Sequence, residues 1–361
     1  MNNYTNEYLE KSAIKKRLAK YYLAQSTKNG LSGMDKVLAY TPLEYQPLAM
    51  RRGLVVAQMG YGDILALISQ HKPFTVVSGL NPSSQLHLGH KVLFDMLLEL
   101  QQMGGDIFVP LTDDESYVDG KVAKLSDATR NAKEKIIPAL QKMGFDSKRT
   151  HYLVDTEQPE LYQFAFELSR YVSMAELTHL FGAESLTNPG QVFYRGCVQL
   201  AEILMPQLPQ NGGPRHTLIP VGIDQHPYIL LARDVAKKIG MVPPSELVLR
   251  FFPSLADPEK KMSKSSSESA LFLDDKPEDI HRKIRRAFTG AVGSLEDHER
   301  LGGVPEACSV FALQQAFNPT DDEVGMLRER YVAGGLLMGE LKERTSELMI
   351  AELSRFRGEG I

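Results

Sequence analysis

His87 and His90 stand three residues apart in "GLNPSSQLHLGH" (79–90), between the apolar run "FTVV" and the helical pattern "KVLFDMLLELQQMG". Side chains at that spacing share a helix face, where two imidazoles can donate hydrogen bonds to phosphate oxygens. A chain that leaves a strand and opens a helix also aims backbone N–H groups at an anion. Gly89 between them removes a side chain that would hold a planar base away from the backbone. The segment is neither G-x-G-x-x-G nor G-x-x-x-x-G-K-[ST], so a different phosphate-binding design is needed. A metal pair and two incidental surface histidines are the competing readings, and no third ligand lies close in sequence to favour the metal. Far along the chain, "KKMSKSSSESALFLDD" puts Lys260, Lys261 and Lys264 in a Ser-rich loop. Ammonium groups on such a loop can cover a triphosphate and stabilise the charge that builds on departing pyrophosphate. Taken alone, a Lys/Ser loop reads as a solvated linker; a matching HxGH on the same sheet argues against that.

These groups need a sheet to carry them. From "KPFTVVSG" onward, strand-like runs alternate with helical patterns: "FTVVSG", helix 88–103, "DIFVPLTDDE", helix 126–143, "THYLVD". After a mostly helical stretch (159–208) the alternation returns with "HTLIPVGID", helix 228–239 and "ELVLRFFP". Alternation of this kind predicts βαβ units. The expected class is α/β, a Rossmann-like doubly wound parallel sheet with a helical insertion, followed by an all-α C-terminal domain. The boundaries expected are 1–45 for an N-terminal helical appendage, 46–276 for the catalytic domain with its insertion at about 150–210, and 277–361 for the helical domain. In open parallel sheets ligands sit beyond the carboxyl ends of the strands.

Composition excludes several classes. A chain of 361 residues, 43% hydrophobic, can bury a sizeable core. It has no long uninterrupted apolar run and no signal-peptide pattern, so a cytoplasmic protein without membrane segments is expected. Cys197 and Cys308 are isolated and support neither a disulfide framework nor a cysteine metal site. A net charge of −4 argues against wholesale coating of nucleic acid, although "KSAIKKRLAK" (11–20) and "HRKIRR" (281–286) are locally basic. The first reads as a solvated helix face. The chain contains no tryptophan.

HLGH (87–90) and KMSKS (261–265) resemble the two signature motifs of the class I aminoacyl-tRNA synthetases. "RRGLVV", "LTDDESY", "IPVGIDQHPYILLARDVA", "FFPSL", "RRAFTGA" and "GGLLMGELK" extend the resemblance from about Leu48 to about Leu353 and point to the tryptophanyl branch in its archaeal and eukaryotic form. The resemblance implies ATP-dependent activation of L-tryptophan to its adenylate and transfer to tRNA(Trp), with Mg²⁺ arriving with the ATP. It implies that His87, His90, Lys261 and Lys264 act on the phosphates. Gly79, Ser83, Gly89, Asp224, Met262, Ser263 and Ser265 would line the nucleotide. A homodimer formed through the insertion and an anticodon-binding role for the C-terminal helices are further implications, with "HRKIRR" available to tRNA phosphates.

For the amino acid, the family pattern assigns the α-ammonium to Glu115, Gln199 and Gln225, an acid with amide oxygens being what an ammonium needs. The chain departs from the pattern at the side-chain pocket, carrying Val77 and Pro110 where that form has a Tyr and a Gln. A buried indole N–H without an acceptor costs about 1–3 kcal/mol. Glu202, one turn beyond Gln199, corresponds to an acid used by the bacterial form and is the expected replacement. The same acid suits the phenol of tyrosine, so a tyrosine ligase of this fold is the first alternative. A small-molecule nucleotidyltransferase and a non-catalytic binding paralogue are the others.

Overall fold

The computed structural model describes residues 3–27, 30–263, 267–291 and 293–358. They form two compact units, one made of Ser26–Gln85 and Leu93–Arg250, the other of Met1–Gln25, Leu86–Val92 and Phe251–Ile361. Among the described residues, no helix is long and apolar enough to cross a membrane.

The first unit carries a seven-stranded sheet. Its strands are β1 (Ser32–Gly33), β2 (Val55–Met59), β3 (Phe74–Val77), β4 (Gly105–Leu111), β5 (Thr150–Val154), β6 (Thr217–Gly222) and β7 (Ser245–Leu249), in the order β1-β2-β7-β6-β3-β4-β5. From β3 to β7 all pairs are parallel. The winding starts at β3, moves outward through β4 and β5, then returns to β6 and β7 on the other side, which is the doubly wound order expected. The expectation of a wholly parallel sheet needs one correction, since β2 joins β7 antiparallel and β1 joins β2 antiparallel. Every residue of β3 and β7 is buried, as strands covered on both faces must be, so their apolar runs do not alternate.

The helical insertion is part of the same core. Leu161, Phe164 and Leu168 from helix Pro159–Leu168 pack with Val77 and Phe108 of the sheet and with Leu200 and Ile203 of helix Gln199–Leu204. Each such side chain, fully buried, contributes about 1.5–3 kcal/mol. The opposite face of the insertion stays open, with Phe166 74% and Met174 54% exposed. The apolar residues of this stretch therefore serve two purposes that their sequence does not separate.

The second unit is helical: Asn3–Ser26, Pro277–Arg286, Leu295–Leu301, Ser309–Phe317, Asp321–Val332 and Met338–Arg357, around Phe311, Leu313, Leu327, Tyr331, Leu341 and Met349. The first 25 residues fold with this unit. Lys11, read as solvated, is buried, with its ammonium on the Ala291 carbonyl and 3.1 Å from Glu7. "HRKIRR" is less available to phosphate than its sequence suggests. Lys283 is buried in an ion pair with Asp275 at 2.6 Å, and Arg282 is held by Asp279 and Glu268.

Candidate active site

In the sheet-bearing unit, the carboxyl ends of the parallel strands gather the polar residues. β3 runs into Ser78 and Gly79, β4 into Thr112–Glu115, β5 into Asp155, and β6 into Ile223–Gln225. Val77, the last residue of β3, is buried in the core. Gly79 passes close to β4: a Cβ there would lie 3.0 Å from the Pro110 carbonyl oxygen, so any side chain would force one of the two segments to give by a few tenths of an ångström.

Glu115 is half-buried and its carboxylate is fixed on both sides. Oε2 accepts from Asn81 Nδ2 (2.5 Å) and Thr112 Oγ1 (3.0 Å), and Oε1 pairs with Lys121 at 3.2 Å. Asn81 is held in turn by the Ser116 hydroxyl, and its Oδ1 also accepts from the Ser83 amide at 3.2 Å. Asp113 is structural, receiving the hydroxyls of Thr129 and Thr156 at 2.6 Å each. Gln199 donates through Nε2 to Gln225 Oε1 at 2.8 Å, which brings together two of the three expected ammonium ligands. Asp224 beside them is exposed.

Helix Gln199–Leu204 follows directly on a wider π turn, Tyr194–Val198, a feature that inserts a residue and resets which side chains face inward. Its Glu202 is 5% exposed and points into a carboxyl cluster with Asp155, which is fully buried, and Asp114. Burial is the first cause pushing both Glu202 and Asp155 well above the usual carboxylate range; the remaining push on Glu202 comes from Asp114 and Glu115, and on Asp155 from Glu202 and Asp114. Among the described residues no donor reaches Glu202 Oε1 or either Asp155 oxygen. Burial together with the facing carboxylates favours keeping a proton on this pair. Asp114 is pushed up to about 6, first by burial, while the Tyr162 hydroxyl (2.9 Å) and the Glu115 amide (2.8 Å) partly hold it down. Such a cluster can accept one N–H or O–H from a ligand.

In the helical unit, His87 lies just before helix Leu88–Gln102 and His90 in its first turn. They are not two side chains on a regular helix face. Their rings are tilted by 32° with centroids 3.9 Å apart. The His87 amide donates to His90 Nδ1 and the Gly89 amide to His87 Nδ1, both at 3.1 Å. A nitrogen that accepts from an amide carries no proton, so the neutral rings hold theirs on Nε2. Both are thereby donors at Nε2, the tautomer suited to phosphate oxygens. Gly89 has a second reason to be glycine, because a Cβ there would stand 2.9 Å from His87 Cε1.

The KMSKS segment belongs to the same unit and meets the histidines across Phe252. Met262 donates its amide to the Phe252 carbonyl at 2.7 Å, Pro253 bridges Lys261, and the Phe252 Cβ sits 3.5 Å from the Cβ position of Gly89. His87 is further bridged to Phe272, with the Leu88 amide on the Leu271 carbonyl at 3.0 Å. Lys261 is exposed, Met262 is buried and Ser263 half-buried; Lys264 and Ser265 lie outside the described residues. Lys91, next after His90, is 1% exposed and pairs with Glu352 of the last helix at 2.6 Å, over the rings of Phe317 and Phe356.

Sequence reasoning missed Asp155, Lys121, Asn81 and Lys91. Asp155 had a usable signal, an acid immediately after the strand "THYLV"; Lys91 had none, since its burial depends on a helix more than two hundred residues away in sequence.

The family model described as tRNA synthetases class I (W and Y) matches residues 69–354. The tryptophan–tRNA ligase of Pyrobaculum aerophilum is 32% identical over 94% of this chain and 89% of its own length. Tryptophan–tRNA ligase 2 of Halobacterium salinarum is 37% identical over 85% and 80%. The crystal structure of the tryptophanyl-tRNA synthetase from Aeropyrum pernix superimposes with a TM-score of 0.86 at 30% identity, covering 94% of this chain and 93% of that one. With both signature motifs held in one unit and the doubly wound sheet in the other, the chain belongs to the class I tRNA synthetases of the W and Y family.

Proposed function

We propose that the protein is a tryptophan–tRNA ligase, which activates L-tryptophan with ATP and charges tRNA(Trp) in the cytoplasm. The observation that carries the reaction type is the pair of backbone amides on the Nδ1 atoms of His87 and His90, beside the Lys261 segment, which leaves each Nε2 the donor. The relatives matched over most of the chain supply the amino acid. The tryptophan carboxylate attacks the α-phosphorus in line and pyrophosphate leaves, so catalysis is positioning plus charge stabilisation. His87 and His90 donate to ATP phosphate oxygens, and Lys261 and Lys264 neutralise the departing pyrophosphate with help from Ser263 and Ser265. Met262 anchors this loop through its amide. Mg²⁺ enters with ATP as its counter-ion. Gly79, Ser83, Gly89 and Asp224 line the nucleotide.

Glu115, Gln199 and Gln225 receive the α-ammonium, which displaces Lys121 from Glu115. Glu202 accepts the indole N–H, with Val77 forming the apolar wall. A proton kept on the Asp155–Glu202 pair by burial leaves it a single negative charge, enough to accept one N–H without stacking two charges in the core. Helices from Pro277 onward take the anticodon arm. A second copy of the chain covers the open face of the insertion, where Phe166 is exposed and Val172, Met174, Leu177, Val192 and Phe193 line a groove of about 540 Å³.

ATP–pyrophosphate exchange with each of the twenty amino acids tests this directly. Tryptophan-dependent exchange is expected. Exchange with tyrosine alone would make it the tyrosine enzyme, and exchange without any amino acid would reject the whole class.

A further inference from the structure

The first 25 residues lie outside the stretch matched by the family model, 69–354, yet they are tied to the segment that delivers Lys261. Residues 252–254 and 260–262 form a small antiparallel hairpin, closed by Ser254 N on the Lys260 carbonyl (2.8 Å), Met262 N on Phe252 (2.7 Å) and the Pro253–Lys261 bridge. Its turn contains Glu259, whose amide donates to Asp257 Oδ1 at 3.0 Å.

Helix Asn3–Ser26 meets this hairpin at two points. Arg17 grips Glu259 with a two-pronged ion pair, Nε on Oε1 and Nη2 on Oε2, both at 2.6 Å. Tyr21 and Tyr22 pack on Phe251, where the hairpin begins, with ring centroids 6.3 and 5.6 Å away. Farther back the same helix is anchored to the rest of the unit. Glu7 receives the Gly293 amide at 2.9 Å, Lys11 lies over the Phe288 ring at 5.2 Å, and Lys15 pairs with Glu306 at 3.2 Å. Positions 7, 11, 15 and 22 recur at helical spacing along one stripe, so the helix is docked along its length, and only its later turns reach the hairpin.

In the Arg17–Glu259 pair Arg17 is exposed and Glu259 half-buried. Exposed ion pairs add little to global stability, but a planar fork on a carboxylate fixes direction as well as distance. We propose that Arg17 is a positioning residue for the KMSKS segment, acting through Glu259 two residues before Lys261, and that the N-terminal helix sets where Lys261 sits when ATP binds. This rests on Lys261 acting on ATP, as argued above.

The test measures pyrophosphate exchange, tryptophan titration and thermal midpoint for Arg17→Glu, Glu259→Arg, the double reversal and Lys261→Ala in the full-length chain. Each single reversal should lower kcat/KM for ATP roughly tenfold, a displacement effect. Tryptophan affinity and midpoint should hold, and the double reversal should recover most of the loss. If Lys261→Ala impairs ATP use while the reversals do not, or the double fails to recover, the positioning role is wrong and the function stands. Equal losses in tryptophan affinity and midpoint would reduce the helix to a structural brace. If Lys261→Ala leaves exchange intact, the function proposed for Lys261 fails first.

Discussion

Replacing Glu202 by Met tests how the side-chain pocket reads its ligand. Met matches Glu in length and keeps the buried volume at this position filled, so no cavity contributes to the result. It removes the acceptor and leaves Asp155, fully buried, to hold its proton alone. An indole N–H then enters a core with no partner, which costs about 1–3 kcal/mol. At about 1.4 kcal/mol per factor of ten, tryptophan should bind roughly 5- to 150-fold more weakly. Glu202→Gln retains an oxygen acceptor and should fall well short of that loss. The chain has no tryptophan of its own, so titrated tryptophan is the only indole in the sample and its emission reports occupancy without background. KM for ATP should change by less than about twofold, since no residue assigned to the nucleotide is altered. Equal weakening of tryptophan and ATP, or no weakening of tryptophan, would refute the acceptor role.

Gly89→Ala should push the His87 imidazole aside, because the added methyl would lie 2.9 Å from Cε1 and 3.0 Å from Nδ1. KM for ATP should rise about tenfold or more by misplacing a donor, with tryptophan titration unchanged. The carboxyl cluster gives a pH signature. Asp114, pushed up to about 6, and the Asp155–Glu202 pair, also raised by burial, bind more protons folded than unfolded, so their stabilising contribution is full at acid pH and fades as pH rises through the folded values. Asp155→Asn should therefore match the wild-type thermal midpoint only below about pH 4, where the unfolded carboxyl is itself protonated, and exceed it at pH 8; the opposite trend would contradict a proton retained on the pair. Lys91→Met should lower stability by about 2–3 kcal/mol in denaturant unfolding, less than a fully buried pair would lose because Glu352 retains 22% exposure. Adding Glu352→Leu should restore most of it.

The sheet was legible because β3, β4, β5, β6 and β7 are short, apolar and separated by helical periods. β2 was missed because "VVAQM" has the same local character as a connector, and its antiparallel pairing with β7 is decided by a partner nearly two hundred residues later. The histidines were legible as a phosphate motif, yet their tautomers were not, since these depend on which amides their Nδ1 atoms meet. Glu202 could be singled out by its spacing from Gln199; its pairing with Asp155 required the end of β5 to come beside the π turn at Tyr194–Val198. The basic stretch 11–20 misled because charge alone cannot say which residues meet a carbonyl or a carboxylate: Lys11 is buried, and Arg17 is committed to Glu259.

Charging purified tRNA(Trp) and tRNA(Tyr) with labelled tryptophan or tyrosine at saturating ATP bears most directly on the central claim. Tryptophan should appear on tRNA(Trp) and on nothing else, with the rate collapsing when His87 and His90 are both replaced by Ala. Tyrosine on tRNA(Tyr), or charging that persists without either imidazole, would contradict the assignment of this site.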